Sequence, residues 1–148
     1  MSHSKFGAKA VWYCPITKAE SEEKVIDSQI YFPSRLELRV YKELLQVSNT
    51  HLDRQVPIQI KPDCNFFPSL SWKCDFRIWF DDSMDKWYYI EAKGVVTPEF
   101  KLQMQMFEQN DPEGFRHLII VSDKPTNLSK IQLKPSQIVP FFTVLGEL

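Results

Sequence analysis

The sequence is short of the residues around which many enzyme sites are built. Its three cysteines, Cys14, Cys64 and Cys74, form no Cys-x-x-Cys pair, which argues against a disulfide framework and a zinc knuckle and leaves buried thiols as the expectation. His3, His51 and His117 are scattered, and no Gly-x-Ser-x-Gly elbow is present, so a nucleophilic hydrolase has no support. No apolar run approaches the ~18 residues a membrane-spanning helix needs. The N-terminal MSHSKFGAKAVWYC lacks the long apolar core of a signal peptide, so a cytoplasmic protein is expected. There is no basic excess either. With a net charge of −1 and a pI near 6.3, any nucleic-acid partner must be met by a local patch.

What remains is ordinary globular material: 148 residues, 43% hydrophobic and 25% charged. That is enough for one domain with a real core and short for two, so residues 1–148 are read as a single domain with its core at about 30–123. No internal repeat, low-complexity tract or linker interrupts it. Residues 11–14 suggest a short strand or arm, TKAESEEK a solvated loop, and IDSQIYF a further apolar patch. In SRLELRVYKELLQV, Leu36, Val40, Leu44 and Val47, with Tyr41 and Leu45 alongside, recur at helical spacing. Ser34 is the expected N-cap. Glu37 three residues later completes the capping-box pattern, so its carboxylate has a structural reading, a bond back to the Ser34 amide.

RQVPIQIK alternates as a strand whose proline suits an edge or an end. PDCNFFPSLS reads as a loop. In TPEFKLQMQMFEQ, Thr97 is the N-cap, Pro98 opens the helix and Glu99 stands in the first turn. Phe100, Met104 and Phe107 fall on one side of it, with Lys101, Gln105 and Glu108 on a neighbouring face. RHLIIVS reads as a buried strand, KPTNLSKIQLKPSQ as loop with a short helical stretch, and VPFFTVL as a closing strand. A helix between two strands is a crossover long enough for parallel pairing. The fold class is therefore α/β, a mixed β-sheet flanked by helices.

The chemically informative stretch is Trp72–Gly94, WKCDFRIWFDDSMDKWYYIEAKG. Its flanks are aromatic and β-branched and its middle is polar, the pattern of a β-hairpin. Closing it about Ser83 pairs Phe80 with Lys86, Ile78 with Tyr88, Phe76 with Ile90 and Asp75 with Glu91. Alternation then predicts Lys73, Asp75, Arg77, Trp79, Glu91 and Lys93 on one face, and Cys74, Phe76, Ile78, Tyr88, Ile90 and Ala92 on the other. Two opposed carboxylates about 5 Å apart repel. A divalent cation between Asp75 and Glu91 offsets that, because hard ions take oxygen ligands, and Lys93 adds a fixed positive charge. The competing reading is a solvated face on which Lys73, Lys93 and Arg77 pair with the two acids.

A helix carrying Glu37, a strand carrying Asp75, then Glu91-x-Lys93, a helix and a strand together resemble the PD-(D/E)XK, or restriction-endonuclease-like, superfamily over about Ser34 to Ser122. Within it the chain looks closest to small phage-type nucleases and to the endonuclease domain of Tn7-like transposition proteins, which also place a Ser-x-x-Glu helix start before a Gln-containing strand. Cys74 stands where the pattern often has proline. The resemblance implies an αβββαβ core and a Mg²⁺-dependent endodeoxyribonuclease, with Mn²⁺ able to substitute. It implies Glu37, Asp75, Glu91 and Lys93 as catalytic residues, with Asp75, Glu91, the Ala92 carbonyl and Glu37 as metal ligands. It makes Lys101, Gln105 and Lys73 candidates for substrate contact.

Two other readings compete. A glycosidase-like acid/base pair at Asp75 and Glu91 is disfavoured, because Lys93 beside them keeps both ionised. A non-catalytic DNA-binding or assembly protein retaining the fold is the alternative of a different class. DNA is the expected partner. Since one site faces one strand, a homodimer or larger assembly, or a partner protein of a mobile-element complex, is expected, with Trp12, Tyr13, Phe141 and Phe142 as candidate interface anchors.

Overall fold

The computed structural model describes residues 9–123 and, as backbone, 138–140. Strands β1 (Val11–Tyr13), β2 (Glu20–Ser21) and β3 (Ile30–Phe32) form a small antiparallel sheet in the order β2-β1-β3. It brings Val11, Tyr13 and Phe32 into the core. Strands this short carry no alternation to read, and β2 lies within the stretch expected to be a solvated loop. Tyr13 is buried and Trp12 packs on Tyr31 at 5.2 Å, so Tyr13 completes the core instead of anchoring an interface; Phe141 and Phe142 lie outside the described residues.

Helix α1 (Arg35–Leu44) opens on Ser34, whose Oγ accepts from the Glu37 amide at 3.1 Å. It ends three residues short of Val47, with Leu45 as C-cap and half exposed, while Leu38 is buried instead. The main sheet follows: β4 (Thr50–Lys61), β5 (Leu70–Phe80) and β6 (Ser83–Ala92) are antiparallel neighbours. Then α2 (Pro98–Asn110) and α3 (Pro112–Arg116) cross over to β7 (Leu118–Ser122), which pairs parallel with β6 and with β8 (Ile138–Pro140). The result is a five-stranded mixed sheet in the order β4-β5-β6-β7-β8. The closing strand was expected over 139–145, of which 141–145 lie outside the described residues, as does the 124–137 stretch. Edge strand β4 is long, and Pro57 within it withholds one amide from any further strand.

Thr97 Oγ1 caps α2 by accepting from the Phe100 amide at 3.1 Å, and Phe100, Met104 and Phe107 are its buried residues, as their spacing predicts. The hairpin register also follows expectation for Phe76–Ile90 and Ile78–Tyr88, and Trp79 meets Trp87. At the turn it does not. The ladder slips between Trp79 and Phe80, Phe80 pairs with Ser83, and Lys86 lies over the Phe80 ring at 4.2 Å. Cys14 and Cys74 are buried, whereas Cys64 is exposed in the β4–β5 loop, its Sγ 3.2 Å from Lys61 Nζ.

Two hydrophobic clusters lie on opposite faces of the sheet. One joins α1 to Phe76, Ile78 and Ile90, with Leu52 and Ala92 against it. The other joins α2 and α3 to Ile58, Ile60, Trp72 and Cys74. In an unbroken pleat, residues two apart stay on one face, yet Cys74 packs on the α2 side and Phe76 on the α1 side. Leu52 and Ile58 divide the same way on β4. Both strands therefore exchange faces between these points. On β4 the cause is visible at Gln55, whose φ of 51° puts a non-glycine residue in the left-handed region. Strand β6 makes no such switch, since Ile90 and Ala92 both pack on the α1 side. The expected grouping of Cys74 with Phe76 and Ala92 thus fails. So does the six-residue charged face: Lys73 is exposed beyond the switch, and Arg77 is bonded to Asp53 at 2.7 Å.

Candidate active site

Where β5 changes face and β6 does not, the ladder between them opens. The last regular pair is Phe76–Ile90. Beyond it, side chains take over the backbone bonding. Asp75 Oδ2 accepts from the Ala92 amide at 2.9 Å, and Glu91 Oε2 accepts from the Asp75 amide at 3.1 Å. The two carboxylates expected to face each other are thus each turned onto the backbone of the other's strand. Glu91 Oε1 lies 3.5 Å from Lys93 Nζ. Lys93 stands one residue past β6, but its amide still donates to Val121 O on β7 at 2.9 Å. Its ammonium is 4.2 Å from the centre of the Phe100 ring, so α2 packing aims the side chain back at Glu91.

From the other face α1 contributes Glu37. Its amide is capped by Ser34, but its carboxylate does not turn back; Oε1 accepts from Gln55 Nε2 at 3.1 Å and lies 3.9 Å from Arg54 Nη2. The capping reading of the Glu37 side chain is replaced by one in which it faces the sheet. Arg54 lies over Phe32 at 4.2 Å and donates to Tyr31 O at 3.0 Å, with its Nε buried and without a partner. The face switch explains how residues of two helical layers meet: Glu37 comes from the α1 side and Lys93 lies against α2.

Burial governs the electrostatics. Glu91 is 4% exposed, so of the solvated-face reading only its pairing with Lys93 holds, and Asp75 is half-buried; Glu37 is 4% exposed as well. Burial, then the charge of Asp75, raises the Glu37 carboxyl to about 8. Burial raises Asp75 to about 6, against the pull of the Ala92 amide and Lys93. Glu91 is pushed well above the carboxylate range by burial and by Asp75. Burial lowers Arg54, with Glu37 opposing. Three carboxylates thus share two cations, and at neutral pH the cluster favours holding protons. A group that brings positive charge into it replaces them.

The donor set suits a hard divalent ion. Mg²⁺ is commonly held by one or two carboxylates and completes its shell with water or phosphate oxygen. Among the described residues no group of three or more His, Cys, Asp and Glu is arranged to hold an ion; Asp75 and Glu91, each bonded to the other's strand, are the two carboxylates that could be offered to one together.

Of the remaining candidates, Lys101 is half-buried and Gln105 exposed on α2, and Lys73 is exposed on β5. Among the described contacts, none of the three is tied to the carboxylates. Sequence reasoning missed Arg54, and it met Gln55 only as the glutamine of a strand; no residue-type pattern marks a left-handed glutamine opposite Asp75. No protein-family model, curated protein or solved structure matches this chain.

Proposed function

We propose that the chain is a metal-dependent DNA endonuclease that hydrolyses phosphodiester bonds at Asp75, Glu91 and Lys93. The observation that carries this is the opened β5–β6 ladder, where the buried Glu91, the half-buried Asp75 and a lysine converge at a strand end. A structural ion pair needs one acid and one base. The order α1, β4, β5, β6, α2, β7 supports a restriction-endonuclease-like core, and the resemblance of the motif residues supports DNA as substrate.

Asp75, Glu91 and the Ala92 carbonyl would hold Mg²⁺ or Mn²⁺, with Glu37 direct or through water; the ion supplies Lewis acidity toward a phosphoryl oxygen. The Ala92 and Asp75 amides orient the two carboxylates. Lys93, fixed between Glu91 and Phe100, orients the attacking water or stabilises negative charge as it develops on the phosphate. Gln55 and Arg54 hold the Glu37 carboxylate toward the site. Lys101, Gln105 and Lys73 remain proposed contacts to the DNA backbone.

The test is Mg²⁺-dependent cleavage of plasmid and short duplex DNA by the chain and by Lys93→Ala. The chain cuts, chelation stops it, and Lys93→Ala loses at least about a hundredfold in rate, the lower range for a preorganised charge-stabilising group. Undiminished cutting by Lys93→Ala refutes the assignment. Metal-independent DNA binding without cutting would favour the non-catalytic alternative.

A further inference from the structure

Among the described residues, three that are not glycine adopt a positive φ: Lys18 at 64°, Asn49 at 57° and Gln55 at 51°. Lys18 and Asn49 lie in connections between elements, where such a backbone is ordinary. Gln55 lies inside β4. A left-handed residue within a strand persists only where its surroundings hold it, and glycine or asparagine occupies that region more readily than glutamine. The face exchange of β4 needs the backbone turn. It does not need this side chain, so the choice of glutamine calls for a reason beyond the backbone.

The bond it makes supplies that reason. Gln55 falls between the pairs Arg54–Phe76 and Val56–Cys74, which sets it across from Asp75, and its Nε2 donates to Glu37 Oε1 at 3.1 Å. Gln55 is itself exposed, so its amide reaches inward to a carboxylate that is 4% exposed. One residue thus holds one acid of the cluster and faces another. Arg54 makes no comparable bond: its Nη2 stays 3.9 Å from Glu37 Oε1, while the Phe32 ring at 4.2 Å and the Tyr31 carbonyl at 3.0 Å hold the guanidinium. The difference in charge matters. A neutral amide orients a carboxylate without cancelling its charge, which stays available to a cation. Partners bonded to metal ligands in this way are commonly worth about ten- to a hundredfold in metal affinity.

We propose that Gln55 is a positioning residue of the metal site: its left-handed backbone is retained because it sets the side-chain amide on Glu37, and that bond holds the third carboxylate of the cluster toward an ion at Asp75 and Glu91. This rests on the metal-dependent reading above and requires nothing of DNA. The test measures Mn²⁺ binding to the full chain without DNA, by the electron paramagnetic resonance of the free ion. The parent binds, and Asp75→Asn loses the binding, which locates the ion at the cluster. Gln55→Gly suits the left-handed backbone and lacks the amide; Gln55→Asn suits it too, but its amide stops one methylene short of Glu37. Both melt cooperatively in chelator and bind Mn²⁺ about ten- to a hundredfold more weakly than the parent. In a Glu37→Gln background, Gln55→Gly changes the affinity less than about twofold, because its effect runs through Glu37. A glutamine that serves only the fold would give the same loss in either background. Undiminished binding in either Gln55 variant, or an equal further loss in the Glu37→Gln background, overturns the proposal and leaves the metal reading standing. A parent that binds no Mn²⁺, or that binds it as well after Asp75→Asn, takes both down.

Discussion

Replacing Asp75 by asparagine is the sharpest single test of the carboxylate cluster. The amide oxygen still accepts from the Ala92 N–H, so the opened ladder keeps its cap, while the charge disappears. Asp75 titrates at about 6 in the fold against an ordinary 3.8; that difference of about 2.2 pH units, at 1.36 kcal/mol each, makes the ionised form roughly 3 kcal/mol unfavourable to folding. The sign follows from proton counting. Between these two values the folded chain holds a proton that the unfolded chain releases, so stability falls as pH rises through the window and the loss is complete above about 7. Asparagine has no such loss. At pH 8 with chelator, Asp75→Asn is therefore more stable than the parent by roughly 3 kcal/mol, or about 6–12 °C in midpoint for a domain of this size. The difference narrows toward pH 4. Mg²⁺ at a hundredfold excess over its dissociation constant nearly closes the gap, since an ion bound only by the folded parent adds about 2.7 kcal/mol, and at a thousandfold excess, about 4.1 kcal/mol, it reverses the order. Thermal unfolding by circular dichroism at pH 4, 6 and 8, with and without Mg²⁺, reads all of this. An asparagine variant less stable than the parent at pH 8 without metal would refute the idea that the site stores unfavourable charge.

Glu37→Gln is expected to behave similarly over a higher window: the parent loses stability as pH rises from about 4.5 to about 8, whereas the glutamine variant loses less, and titration by thermal melts separates them. Ca²⁺ is expected to raise the melting midpoint as Mg²⁺ does but to support little cleavage, its looser coordination holding the reacting groups less well; equal cutting with both ions contradicts the proposed metal role. Ser34→Ala removes the α1 cap and is expected to lower stability by about 1 kcal/mol with cleavage rate unchanged. A rate loss matching that of Lys93→Ala would mean that the cap also positions Glu37.

Caps and hydrophobic spacing were legible because they are local: Ser34, Thr97 and the Phe100, Met104, Phe107 stripe follow from neighbours within one or two turns. The hairpin register was legible because its central pairs need only a fold-back about Ser83. The face exchange was not, since counting residues by twos assumes an unbroken pleat, and Gln55 adopts a left-handed φ without the glycine that usually signals one. That single backbone event misplaced Lys73 and Cys74. The capping box gave Glu37 a sufficient local reading beside its site reading, and the local pattern alone did not decide between them. Asp75, Glu91 and Lys93 were singled out, the first two as opposed acids on a pleated face and Lys93 as a charge beside them. Their turn onto each other's backbones depends on the ladder opening, which no pairwise register contains.

That opening leaves two amide protons, those of Asp75 and Ala92, held by side chains instead of carbonyls. Carbonyl acceptors do not change charge, and these do. In a ¹⁵N-labelled sample the two resonances act as built-in indicators, moving when the carboxylates gain a proton or a ligand while their neighbours in the regular ladder stay still. The amide of Tyr89, bonded to His117 O at 3.0 Å in the ordinary way, is the internal standard on the same strand. Occupancy of the site can then be followed at atomic resolution without DNA or turnover.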